Sequence, residues 1–110
     1  MTVELLYLPG CPHHAAALDL ARDVLKEAGM AAELIEVPIS DHNEALERRF
    51  PGSPTLRVNG QDIEDVAPER LAIGFACRTY LVDGISGGVP PRAWLERAIR
   101  SAQATEERRS

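Results

Sequence analysis

Cysteine is scarce in this chain: Cys11 and Cys77 are the only two in 110 residues. That is too few for the disulfide framework of a small secreted domain, so in a reducing compartment both are expected as free thiols. Basic surplus is lacking as well. With 12 Lys and Arg against 17 Asp and Glu, the net charge is −5, which argues against nucleic acid or an anionic membrane as partner, since both select for released counterions. Aromatic residues make up only 5%, and no basic stripe interleaves with them. No apolar run approaches the roughly 18 residues a membrane helix needs, and the start MTVELLYLPG carries no basic region before a long apolar stretch. The expectation is a soluble, cytoplasmic chain with no internal repeat and no low-complexity tract.

What is present is enough for one modest core. Apolar residues make up 45% of 12.0 kDa, which suits a single domain over 1–102 followed by a polar tail over 103–110 that frays. Residues 3–8 (VELLYL) read as a buried strand stopped by Pro9-Gly10. A helix follows, with Pro12 in its first turn, Ala17, Ala21, Val24, Leu25 and Ala28 at helical spacing, and Gly29 as its stop. Residues 32–37 (AELIEV) predict a second strand. Asp41 with Glu44 three residues on predicts a capping box opening a short helix through Arg49. Thr55 to Val58 alternates and runs into Asn59-Gly60, a strong hairpin signal, with 61–63 as the returning strand.

Between Glu64 and Ala76 the pattern is weak, apart from a helical turn opened by Pro68. Residues 77–82 (CRTYLV) predict another strand, ended by Asp83-Gly84 and Gly87-Gly88. A last helix from about Pro90-Pro91 buries Trp94, Leu95, Ala98, Ile99 and Ala102, and Trp94 needs no role beyond packing. The order β-α-β-α-β-β then α indicates an α/β fold with a mixed sheet and helices on its faces. The sheet has four strands, or five if 77–82 joins it.

The chemistry concentrates in Tyr7 to His14, YLPGCPHH, where Cys11 falls at a strand-to-helix turn. Amide groups and the dipole at a helix start favour the thiolate, the form that acts as nucleophile or soft-metal ligand. A protonated His13 or His14 would favour it further. For Cys77 two accounts stand: a core residue opening a strand, or a distant second thiol for Cys11.

Cys11-Pro12-His13-His14 after the first strand, together with Phe50-Pro51-Gly52-Ser53-Pro54-Thr55 before a later one, resembles the thioredoxin-like superfamily. Members place C-x-x-C or C-x-x-S/T at the first position and a cis proline at the second. The resemblance covers roughly residues 3–60. It implies a thioredoxin-like fold, a cis Pro54 facing the sulfur, and Ser53 offering its backbone to an incoming thiol or peptide. Pro12, His13, Ser53, Pro54 and Thr55 would then border the substrate, a small thiol or a protein disulfide. Cys11 would be the nucleophile of a thiol–disulfide oxidoreductase needing no cofactor.

His14 stands where a dithiol thioredoxin has its resolving cysteine, so it would tune Cys11 or donate a proton, and resolution would fall to Cys77 or an external thiol. The segment FACRTYLVDGISGGVPPRAWLERA is also similar to the C-terminal part of bacterial alkylmercury lyases. Two thiolates, Cys11 and Cys77, would suit a soft ion such as Hg²⁺ or Cu⁺. The acid those lyases use has no assignable counterpart, Asp65 and Asp83 being candidates by sequence distance alone. Cys11 with His13, His14 or His42 supplies too few ligands for structural zinc. Thiophilic metal binding and a non-catalytic interaction module therefore stand beside the redox reading. Arg57 and Arg78, on predicted strands, would pair with carboxylates, bind an anionic thiol substrate or face solvent. The sequence does not encode an oligomeric state.

Overall fold

A computed structural model describes residues 1–109. The strands are β1 (Thr2–Tyr7), β2 (Glu33–Pro38), β3 (Thr55–Val58), β4 (Gln61–Asp62), β5 (Tyr80–Val82) and β6 (Ile85–Gly87); the helices are α1 (His14–Ala28), α2 (His42–Glu47) and α3 (Arg92–Arg109). A 3₁₀ turn spans Pro68–Arg70. Four strands form a mixed sheet in the order β2-β1-β3-β4, with β1 parallel to β2 and antiparallel to β3. The fifth expected strand does not join it. β5 and β6 pair only with each other, as a separate hairpin.

Alternation along β1 and β3 assigns the two faces of the sheet. Val3 and Leu5 stand beside Val58 and Leu56 and pack with Ala17, Ala21, Val24 and Leu25 of α1 and with Leu95 and Ile99 of α3. Leu6 turns the other way, into a smaller cluster with Ile39, Ala45 of α2 and Phe50. The same face carries Glu4 opposite Arg57. β2 lies at the sheet edge, where Glu33, Glu36 and Pro38 are exposed and discourage a further strand from pairing.

Helix ends follow their local chemistry. Gly29, left-handed at φ 65°, closes α1, with the Gly29 N–H donating to Lys26 O and the Met30 N–H to Leu25 O. At α2 the Asp41 carboxylate accepts from the Glu44 N–H at 2.8 Å, and Glu44 accepts from the Ser40 N–H at 2.7 Å. α2 stops at Glu47 rather than Arg49: Arg49 is left-handed at φ 52°, its N–H donates to Leu46 O, and the Phe50 N–H donates to Ala45 O. α3 continues to Arg109 through most of the stretch expected to fray. Its end is tied by the Met1 ammonium, 3.3 Å from Glu106. Ser110, the last residue of the expected tail, lies outside the described residues.

The region between β4 and α3 is irregular yet anchored. Residues 74–78 form a strap along the entry to β3: the Gly74 N–H donates to Phe50 O, the Ser53 N–H to Ala76 O, and the Arg78 N–H to Ser53 O, each at 2.9 Å. The strand expected over 77–82 therefore begins only at Tyr80, because Cys77 and Arg78 pair with Ser53 and not with a neighbouring strand. Trp94 meets Tyr80 edge-on, with ring centroids 6.0 Å apart, and joins α3 to this region.

Candidate functional site

The turn after β1 sets the position of Cys11. Its N–H donates to Leu8 O at 2.9 Å, and its carbonyl accepts from the His14 N–H at 3.3 Å. That second bond closes a four-residue turn over 11–14, and the helix begins at His14 with His13 as its cap. Cys11 thus lies two residues before the cap, between strand and helix, and Pro12, expected in the first helical turn, lies ahead of that turn. Cys11 is partly exposed, and Pro12 beside it is exposed.

The two histidines are engaged by different neighbours. His14 stacks on Tyr7, with ring centroids 3.8 Å apart and planes 4° apart, and its Nε2 lies 2.8 Å from Glu36 Oε1. With Nε2 held by Glu36, a proton-delivering role toward Cys11 through that nitrogen is set aside. The His13 ring sits against the backbone of Gly88, where a Cβ would overlap it, and so joins the start of α1 to the loop after β6. His42 opens α2 at the surface. No group of three or more His, Cys, Asp or Glu able to hold a metal ion occurs among the described residues.

Ser53 is the junction of the site. Its hydroxyl accepts from the Leu8 N–H at 2.9 Å, three residues before Cys11. Its N–H and carbonyl are both taken by the strap, so Ser53 and Cys77 form a parallel bridge. The Ser53–Pro54 peptide is cis. The expectation that Ser53 offers its backbone to an incoming chain is corrected here: residues 76–78 of the same chain occupy it. Ser53, Pro54 and Thr55 are all fully buried, so none of them presents a side-chain surface to a substrate.

The strap is held by a polar network in which Arg78 takes one of the roles open to it from sequence, pairing with carboxylates. Arg78 is 7% exposed. Its Nη1 donates to Asp62 Oδ2 at 2.7 Å and to Thr55 Oγ1 at 3.0 Å, and its Nη2 donates to Asp62 Oδ1 at 3.1 Å and Glu64 Oε1 at 3.3 Å. The guanidinium also lies 4.5 Å from the centre of the Tyr80 ring. Burial lowers the Arg78 pKa, but the Asp62 hydrogen bond and the surrounding charges outweigh it, and the net direction is up. Burial likewise pushes the Tyr80 phenol above its ordinary range, against the opposing pull of Arg78. Its hydroxyl donates to Pro54 O.

Gly52 is required at the crossing. Its φ is 131°, and an added Cβ would lie 2.9 Å from the Arg78 Cβ and 3.1 Å from the Arg78 backbone. Asp62, Glu64, Tyr80 and Gly52 were not singled out from sequence. The pair Asp62-x-Glu64 upstream of an arginine on an apolar strand was the available signal.

Cys77 is exposed, and both cysteines are free. Ser53 thus joins the two segments that carry the thiols: its hydroxyl bonds Leu8, three residues before Cys11, and its backbone bonds Ala76 and Arg78, on either side of Cys77. Compared with family models, with curated proteins and with solved structures, the chain matches none. No helix among the described residues is long and apolar enough to cross a membrane.

Proposed function

We propose that this chain is a thioredoxin-like thiol oxidoreductase that reduces a small disulfide, with Cys11 as nucleophile and Cys77 as second thiol. The observation that carries the reading is the shared anchor at Ser53, which holds the Cys11 turn by the Leu8 N–H and the Cys77 strap by its backbone. The sheet order β2-β1-β3-β4, with α1 and α3 on one face and α2 on the other, supports the thioredoxin-like reading of the fold.

The chemistry needs no cofactor. The Cys11 thiolate attacks one sulfur of the substrate disulfide; a bond forms between them and the other half leaves as a thiolate that takes a proton from water. The Cys77 thiolate then attacks Cys11 Sγ, expelling the second half and leaving a Cys11–Cys77 disulfide. Two electrons pass from the protein to the substrate, and an external thiol restores the dithiol. The filled Ser53 backbone favours a compact substrate over an extended peptide.

Oxidised glutathione followed by mass spectrometry tests this. The wild type should lose the mass of two hydrogens with no adduct retained, and Cys77→Ser should trap one glutathione on Cys11. Adducts that appear on Cys77 alone, or an unmodified Cys11 in Cys77→Ser, would sink the reading.

A further inference from the structure

A second site borders the polar network at Asp62 and Glu64. The carbonyls of Arg48 and Arg49, turned outward where α2 ends, accept from Arg57 Nη2 at 2.9 and 3.1 Å. This fixes a half-buried guanidinium on β3 by backbone oxygens and not by a carboxylate, and no acidic oxygen lies within ion-pair distance of Arg57 among the described residues. Burial lowers its pKa from the ordinary value, with Asp62 and Glu4 only partly compensating. Arg57 stays charged at neutral pH all the same.

Arg48, Arg49 and Arg57 line one part of an open cavity of about 390 Å³; Val66, Leu71 and Ile73, from the loop after β4, line another. Val66 and Ile73 are 40% and 36% exposed, so apolar surface is left open in the same cavity as the arginines. Asp62 and Glu64 also border the cavity, but both carry oxygens bonded to Arg78. Arg48 keeps only a long contact, 3.9 Å, to Glu44. Asp65 is the third lining carboxylate, and of the three lining arginines Arg48 alone has an acidic oxygen within 4 Å among the described residues, which leaves the guanidiniums of Arg49 and Arg57 without a carboxylate partner.

We infer that this cavity binds a small organic anion, its carboxylate, sulfonate or phosphate on Arg57 and Arg49 and its apolar body against Val66 and Ile73. The volume is in the range of small-molecule sites, and a guanidinium fork matches such oxyanions in two-point geometry. The site is independent of Cys11: it lies along β3 toward the Asn59-Gly60 turn, away from Ser53.

The probe is 8-anilinonaphthalene-1-sulfonate, titrated by fluorescence against the full chain, with uncharged N-phenyl-1-naphthylamine as its control. Saturable binding of the sulfonate is expected, weakened about tenfold in Arg57→Gln by loss of one charge-assisted contact and severalfold in Arg49→Gln. The uncharged dye should bind more weakly and be indifferent to both substitutions. Should Arg57→Gln lose its fold by circular dichroism, Arg49→Gln, an exposed side chain, decides alone. Non-saturating sulfonate binding, equal binding by Arg49→Gln and wild type, or equal affinity for the uncharged dye would each overturn the inference.

Discussion

Leu56 on β3 and Arg78 on the neighbouring strap are both buried, yet one is surrounded by hydrocarbon and the other by oxygen. The sheet and its helices gain stability by removing apolar surface from water, which is non-directional and tolerates repacking. The strap gains it from a guanidinium whose removal leaves Asp62, 10% exposed at its side chain, without a cation. The lesson is that the more irregular region is the more exacting one, because geometry and not volume decides whether its groups are satisfied.

The widest break in this comparison is expected from Arg78→Ala. Stability to urea should fall by about 3–5 kcal/mol as the buried pair is broken from one side. Hydrogen exchange should rise more over 74–88 than over β1. Leu56→Ala should cost a similar amount, about 2–5 kcal/mol, but raise exchange through the whole sheet. Matching exchange patterns in the two variants would show that strap and sheet open as one unit.

Gly52→Ala comes next, at about 1–3 kcal/mol in thermal or urea unfolding, since it combines an unfavourable φ with contact against the Arg78 backbone. A cost no greater than that of an exposed glycine would remove the claim of close crossing.

Tyr80→Phe is expected to cost about 1 kcal/mol at neutral pH by leaving Pro54 O without its donor. It also carries a pH signature. The folded phenol titrates above its ordinary 10.0, so the unfolded state releases its proton first and the stability contribution, intact below pH 10, is lost as pH rises beyond it. The Phe variant should flatten that alkaline fall. An unchanged slope would mean that other groups govern it. Smallest of all, Glu36→Gln should change stability by no more than about 0.5 kcal/mol, because its bond to His14 is largely exposed.

These expectations follow the line between what local sequence encodes and what it does not. β1, α1, β3 and the Asp41 cap were legible because strand runs, helical spacing, turn glycines and an acid three residues ahead of another act within a few residues. Asp83-Gly84 has the same turn chemistry as Asn59-Gly60, and Asp83 adopts φ 52° beside Asn59 at φ 50°. It was read only as the end of a strand because the partner, Ile85–Gly87, has a serine and a glycine instead of an alternating apolar pattern. The strap left no periodic trace because the partners of its Arg78 side chain lie 14 to 23 residues away, at Glu64, Asp62 and Thr55. Pro12 was misplaced for a narrower reason: a proline suits a first helical turn, and nothing local announces the separate turn over 11–14 that precedes α1.

Ser53 has a mechanical consequence. One residue clamps two otherwise separate loops, so a pull that strips its main chain from residues 76–78 is delivered through three covalent bonds to the hydroxyl gripping Leu8. The loops bearing the two sulfurs are geared together, and neither can swing far without the other registering the movement.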